Sequence, residues 1–237
     1  MKILYKEYSS VNYTSYQFPY CIYAIRESGD DYATIYSQGF LPYSNDLECR
    51  EEIFYLARSI RIDLKLHKNN YKQNNIHNKL SGIYDPAGLA IKLVPKQAPV
   101  NDPEFLIWCL KHAKNSFLQS DRLKYILDRP YFNDILEISY EGKMLARVLI
   151  ISENKDFIHV WFSFYDTQVN VSDFGKWIIL KVIDWSKNEG YQHFYIGTCY
   201  PPTGFYKLTL SSSTAYFNGE FWDADVSMLK KALAPTS

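Results

Sequence analysis

The chain has 237 residues, 47% hydrophobic, 17% aromatic and 22% charged, with 26 Lys and Arg against 26 Asp and Glu. That length makes one large domain or two small ones with a sizeable core, and 21 Tyr exclude a disordered chain. A formal net charge of zero excludes a protein drawn onto nucleic acid or an anionic membrane by bulk charge, so such a partner has to be argued from a local patch.

Taken in chain order, Tyr13, Tyr16, Tyr20 and Tyr23 fit either a pocket lining or the packing of a first domain. Asp30 to Gln38 reads as a short helix stopped by Gly39, and Pro42 forbids its continuation. Ile60, Ile62, Leu64 and Leu66 alternate with Arg61, Asp63 and Lys65, the period of a half-buried strand. A helix follows over Asn70 to Leu80. Residues Tyr84 to Pro103 carry Pro86, Pro95, Pro99 and Pro103 and read as a connector between domains.

Asp102 and Pro103 supply an N-cap and a pre-set first position for a helix over Glu104 to Phe117, and a shorter helix runs from Asp121 to Leu127. Ile135 to Tyr140 and Met144 to Ser152 read as a hairpin turning at Glu141-Gly142. Phe157 to Tyr165 is apolar on both faces and so reads as a central strand. Ser172 is placed to cap a helix ending at Gly190, with Phe174, Trp177, Ile178, Val182 and Trp185 on one face. Gln192 to Gly197 returns after that crossover and should pair in parallel with the central strand. Thr214 to Phe217, Asn218-Gly219 and Glu220 to Trp222 suggest a last hairpin.

Cys21, Cys49, Cys109 and Cys199 are scattered without a Cys-x-x-Cys pair, and the five His show no metal-site spacing. No metal and no cofactor are assigned. No apolar run approaches the roughly 18 residues of a membrane helix, and the expectation is a reduced, soluble, cytoplasmic protein.

The ordered set Ile138-Ser-Tyr-Glu-Gly-Lys-Met-Leu-Ala146, Val160-Trp-Phe-Ser-Phe-Tyr-Asp166, Ser172-Asp-Phe-Gly-Lys-Trp177, Tyr195-Ile-Gly197 and Tyr206-Lys207 resembles the C-terminal half of arginyl-tRNA-protein transferases and their bacterial leucyl-transferring relatives. The resemblance covers roughly residues 130 to 225. It implies an α+β fold: a GCN5-related N-acyltransferase-like mixed sheet with a crossover helix over 104–237, after a connector at 84–103 and a smaller N-terminal α/β domain over 1–83. In the N-terminal part Tyr36-Ser-Gln-Gly-Phe40, Arg61-Ile62 and Gln73 also resemble the family, while its cysteine cluster and the arginines and serines around Gln73 are missing.

The implied activity moves an amino acid from an aminoacyl-tRNA donor to the amine of a protein, peptide or small molecule. Such a reaction needs placement of a neutral amine against an ester and donors for the oxyanion. Asp166 and Tyr165 are the catalytic candidates, the first to hold or relay the acceptor's proton and the second to orient it or protonate the leaving hydroxyl. Ser172, Gly175, Tyr195, Tyr206 and Lys207 are the substrate-binding candidates. Residues 58 to 80 hold six basic side chains and one acid, and there Arg61, Lys72, Gln73 and Lys79 are the tRNA-binding candidates. Two alternatives stay open. An acyl-CoA-dependent enzyme of the same fold is opposed by a stretch from Thr167 to Gly175 with one Gly and with Asp173 at the helix start. A non-catalytic binding relative is the other.

Overall fold

The structure, a computed structural model, describes residues 1–7, 20–113, 118–200 and 204–233, so Tyr13, Tyr16 and the expected helix end at Phe117 lie outside the described residues. Strands β1 (Lys2–Glu7) and β2 (Tyr20–Ile25) are followed by α1 (Tyr32–Ser37), β3 (Phe40–Pro42), β4 (Ile53–Leu56), β5 (Ser59–Asp63) and α2 (Tyr71–Ser81). Next come β6 (Leu89–Pro95), α3 (Gln97–Val100), α4 (Pro103–Lys111), α5 (Ser120–Leu127), β7 (Asp134–Tyr140), β8 (Lys143–Glu153) and β9 (Phe157–Tyr165). The chain closes with α6 (Phe174–Asn188), β10 (His193–Thr198), β11 (Thr214–Phe217), β12 (Trp222–Asp223) and α7 (Val226–Leu233).

Two sheets result: a small antiparallel one ordered β1-β2-β4-β3, and an eight-stranded one ordered β12-β11-β5-β10-β9-β8-β7-β6. In the large sheet β10 runs parallel to β9, as the α6 crossover requires, and all other neighbours are antiparallel. This is the mixed α+β architecture of a GCN5-related N-acyltransferase-like fold, with a small sheet before it.

The strand β5, expected in the N-terminal part, lies inside the large sheet between β10 and β11. The expected connector is also a strand: β6 pairs with β7 along its whole length, from Leu89 opposite Tyr140 to Pro95 opposite Asp134. Its prolines permit this because β6 is an edge strand, where a missing N–H costs no ladder bond, and Pro95 stands at its end. Hydrogen bonding therefore crosses both expected boundaries.

Side-chain caps start three of the helices, of which the Asp102 cap is the one expected. Asp31 accepts from the Thr34 amide at the start of α1, Asp102 from Glu104 at the start of α4, and Asn70 and Gln73 form a reciprocal capping box on α2. Glu141 and Gly142 both have positive φ, 47° and 81°, the tight turn that suits the twist of a hairpin. Ser172 does not cap α6: Asp173 holds the N-cap position in left-handed backbone, and its carboxylate pairs with Lys176 at 2.8 Å. The last hairpin turns through four residues rather than Asn218-Gly219 alone, because Asn218 Oδ1 accepts from the amides of both Glu220 and Phe221.

One face of the large sheet packs on α2 and α6 through Ile60, Ile62, Val148, Ile158, Trp177, Ile178 and Val182, all buried. The other face is covered at one end by α4 and α5, over Ile135, Leu149 and Phe164. At the other end it is covered by the small sheet and α1, over Tyr131, Ile151, Phe157 and Tyr195. Gly39 is required at that junction: its φ is 83°, and a Cβ there would stand 2.2 Å from the Phe217 ring.

Candidate active site

The central strand explains its own composition. In the pairing with β8, Leu149 faces Phe162 and Ile150 faces Val160, so Trp161 is an extra residue, a β-bulge. A bulge reverses the facing of every later side chain. Before it, Ile158 and Val160 point to the α6 face; after it, Tyr165 does, while Phe164 points to the α4–α5 face. That is why no clean alternation is visible from Phe157 to Tyr165.

The bulge also ends the parallel ladder. β9 pairs with β10 only as far as His159 opposite Tyr195, after which the strands part. β10 has its own irregularity there, between Tyr195 and Thr198, with Gly197 at φ 80°. The result is a wedge between Val160–Tyr165 and Ile196–Thr198, with a space on each side of the sheet.

On the α6 side, a cleft of about 470 Å³ is lined by Ser163, Tyr165, Thr167, Ser172, Gly175 and Tyr206, among others. Gly175 is what lets Tyr165 reach the first turn of α6: a Cβ at 175 would lie 2.6 Å from the Tyr165 hydroxyl oxygen. Lys79 of α2 donates to Ser172 Oγ, and Lys176 lines the same cleft. The cleft thus has tyrosines inside and two exposed lysines near Ser172 and Asp173.

On the small-sheet side lies a chamber of about 130 Å³, bounded by Tyr43, Asn45 and Tyr55, by Arg122 of α5, by His159 to Phe162, and by Gly197, Thr198 and Lys207. Arg122 is fixed by a 3.2 Å bond from its guanidinium to Ser44 Oγ. His159 is buried with Nδ1 2.8 Å from the Tyr36 hydroxyl, and burial depresses its pKa to about 3, so the ring is neutral. Lys207 donates to the Thr198 carbonyl at 2.8 Å; desolvation lowers its pKa to about 8 although part of the residue reaches solvent.

The sequence-derived candidates separate into three groups. Tyr165, Ser172, Gly175 and Tyr206 converge on the cleft, Lys207 lines the chamber, and Lys79 reaches the cleft through Ser172. Asp166 and Tyr195 stand behind this surface. Asp166 is buried and lines neither space. One of its oxygens accepts from the Gln168 amide at 2.9 Å, and the other is 3.1 Å from Lys143 Nζ. Burial opposes its charge, but the Gln168 amide, Lys143 and His112 outweigh burial and hold the carboxyl below its usual range. His112 Nδ1 accepts from the Thr167 amide at 3.0 Å, so the loop after β9 is pinned from both sides. Tyr195 is packed edge-on to Tyr36 and Trp222 on the small-sheet face.

Of the basic-stretch candidates, Lys72 is exposed on α2 and available to a partner. Gln73 is buried, and its amide is used twice, accepting from Asn70 N at 2.6 Å and donating to Thr209 O at 2.7 Å. Arg61 is turned inward over the Trp222 ring at 4.2 Å. Both side chains make contacts within the fold, which tie β5 and the start of α2 to the segments around 209 and 222. Sequence reading missed His159, His112, Arg122 and Lys143, and the one signal available was a histidine in the middle of an apolar strand. Among the described residues no group of three His, Cys, Asp or Glu side chains is arranged to hold a metal ion, and no helix is long and apolar enough to cross a membrane.

Comparison with known proteins bears on the same region. Residues 110–201, less than half of the chain, match the family model of the arginine-tRNA-protein transferase C terminus, a link to a transferase domain that takes in β7 to β10 and the wedge. No curated protein sequence matches. Among solved structures, L-PGS from Bacillus licheniformis is 15% identical with a TM-score of 0.44, covering 70% of this chain and 51% of its own. The C-terminal domain of a putative lysylphosphatidylglycerol synthetase from Agrobacterium fabrum is 15% identical with a TM-score of 0.42, over 60% of this chain and 46% of its own. A conserved protein from Bacteroides thetaiotaomicron is 15% identical with a TM-score of 0.46, over 64% of this chain and 54% of its own. The chain spans about half the length of these structures. The large sheet has the GCN5-related N-acyltransferase-like fold, and residues 110–201 of it and its helices carry the transferase-family match.

Proposed function

We propose that this chain is an aminoacyl-tRNA-dependent transferase that moves an amino acid from a charged tRNA to an amine of a protein, peptide or small molecule. The observation that carries the reading is the coincidence of the transferase-family match over 110–201 with the bulge-opened wedge of β9 and β10. A ribose ester is already activated, so the protein's part is to hold ester and amine in line and to exclude competing water.

In this reading the donor's aminoacyl end enters by the α6-side cleft. Lys79 and Lys176 meet the backbone phosphates, and Lys72 on the same α2 helix extends that contact. Tyr165 and Tyr206 orient the ester, Tyr165 as the hydroxyl nearest the first turn of α6. The amine acceptor comes from the small-sheet side of the wedge. Asp166 serves as a positioning residue, because its carboxylate is spent on Gln168 and Lys143 and fixes the loop that carries Thr167.

The acyl-CoA reading has a specific observation against it. The loop before α6 ends in Asp173, in left-handed backbone and paired with Lys176, so a negative side chain stands at the helix start that would receive a pyrophosphate. The test is to incubate the full chain and a peptide mixture with total tRNA charged with labelled amino acids, or with labelled acetyl-CoA. Label passing to peptide from tRNA alone is the expected result. Label from acetyl-CoA alone makes it an acyl-CoA enzyme, and label from neither, with folded protein verified, makes it a binding relative.

A further inference from the structure

Lys207 stands where the two strands part. It belongs to the short 3-10 turn Phe205–Thr209, and its Nζ reaches back to the Thr198 carbonyl at 2.8 Å and lies 3.4 Å from where a Cβ on Gly197 would be. The residue before it, Tyr206, lines the cleft on the opposite side of the sheet, so the pair spans the wedge. No other amine is found at this position among the described residues that line either space except Lys176, which lies at the start of α6.

The surroundings of that amine are unusual in what they omit. Its charge neighbours are His159 of β9, neutral by burial, and Cys199 after β10, whose thiol burial pushes up; the chamber it lines is shared with Arg122 of α5 and with Tyr43 and Tyr55. The described residues lining the chamber include no carboxylate. A lysine held by a carboxylate stays an ammonium, whereas desolvation around an amine whose hydrogen bond goes to a carbonyl lowers its pKa toward neutral.

We propose that Lys207 is the proton shuttle of the transfer, an inference that rests on the transferase reading above. The neutral Nζ takes a proton from the acceptor nitrogen as that nitrogen attacks the ester carbonyl. A C–N bond forms, the ester C–O bond breaks, and the Lys207 ammonium gives the proton to the departing ribose oxygen. The products are an amide and a free ribose hydroxyl, with Lys207 neutral again and no other reactant consumed.

The experiment is single-turnover transfer by the full chain from charged tRNA, read from about pH 6 to about pH 9 above the uncatalysed rate. A hydrazide acceptor, uncharged over that range, removes the acceptor's own titration. For the wild type the rate should climb with pH to a plateau, with a midpoint close to 8. Lys207→Met and Lys207→Arg should each lose about 100-fold or more and lose that limb, and added ethylamine should restore part of the rate to Lys207→Ala. Lys207→Arg keeps the positive charge and the bond to Thr198, so it decides the matter if Lys207→Met fails to fold. If the Arg variant transfers within about threefold of wild type with the limb intact, the shuttle is overturned while aminoacyl transfer stands. If the folded wild type transfers from no charged tRNA, the transferase reading itself is overturned and this role goes with it.

Discussion

The two spaces that meet at the wedge are built from different chemistry. The α6-side cleft is open, lined by tyrosine rings and small residues, and its cations are exposed on α2 and α6. The small-sheet chamber is less than a third of that size, and its cations, Arg122 and Lys207, are turned inward among aromatic rings and a neutral histidine. Exposed lysines interact with a polyanion through screened charge and lose that contact in salt. A lysine in a poorly solvated chamber, as Lys207 is, changes protonation state instead, while the Arg122 guanidinium keeps its charge. One strand with one extra residue serves both, because the Trp161 bulge turns Tyr165 to the first space and leaves His159 in the second.

The contrast predicts an order of effects. The largest is the loss of transfer on removing Lys207, set out above. Next, Gly175→Ala puts a methyl 2.6 Å from the Tyr165 hydroxyl and displaces it from the cleft. We expect about tenfold slower transfer and a cost of about 1–3 kcal/mol from overpacking, measured by single-turnover rate and by urea denaturation. An unchanged rate would show that the Tyr165 hydroxyl has no part in the reaction.

Asp166→Asn lies behind the wedge and should act on stability first. Removing the charged partner of Gln168 N and Lys143 is expected to cost about 1–3 kcal/mol near neutral pH. The folded-state pKa of Asp166 is lowered, so its stabilisation is complete above the ordinary carboxylate pKa and is lost as pH falls through the folded value. Urea midpoints of wild type and variant should therefore converge in acid. A gap that persists below both pKa values would assign the stability to packing instead of charge. The smallest effect is at Lys79→Ala: with the residue exposed, the fold should be unchanged within about 0.5 kcal/mol. The slope of log affinity for tRNA against log salt should become shallower by about one, and an unaltered slope removes Lys79 from the tRNA contact.

Much of the large sheet was legible because its signals are local. The Glu141-Gly142 turn, the Asp102-Pro103 start and the Gly190 stop each depend on a few adjacent residues, and the order of motifs from Ile138 to Gly197 located the wedge region. Less legible was anything decided by pairing between distant segments. The bulge at Trp161 erases the alternation that would have exposed it, and only the register with β8 reveals it. Leu89, Ile91 and Leu93 alternate as a strand should, a signal that the connector reading left out, and the edge position is what makes the flanking prolines harmless. Gln73 and Arg61 read as contacts for a partner because their own partners, the Thr209 carbonyl and the Trp222 ring, are more than a hundred residues away. The chamber was illegible for the same reason, since it takes residues from the small sheet, α5, β9, β10 and the 3-10 turn.

The central claim is that donor ester and acceptor amine meet at the parting of β9 and β10. The most direct measurement is a crystal structure of the chain with an amide-linked aminoacyl adenosine, a hydrolysis-resistant mimic of the charged tRNA end. The expected density puts the aminoacyl carbonyl in the wedge, with the adenosine in the α6-side cleft beside Tyr165 and Tyr206 and the carbonyl carbon within reach of Lys207. Density for the analogue bound elsewhere, with the wedge closed by unbroken pairing of Val160–Tyr165 to β10, would contradict it.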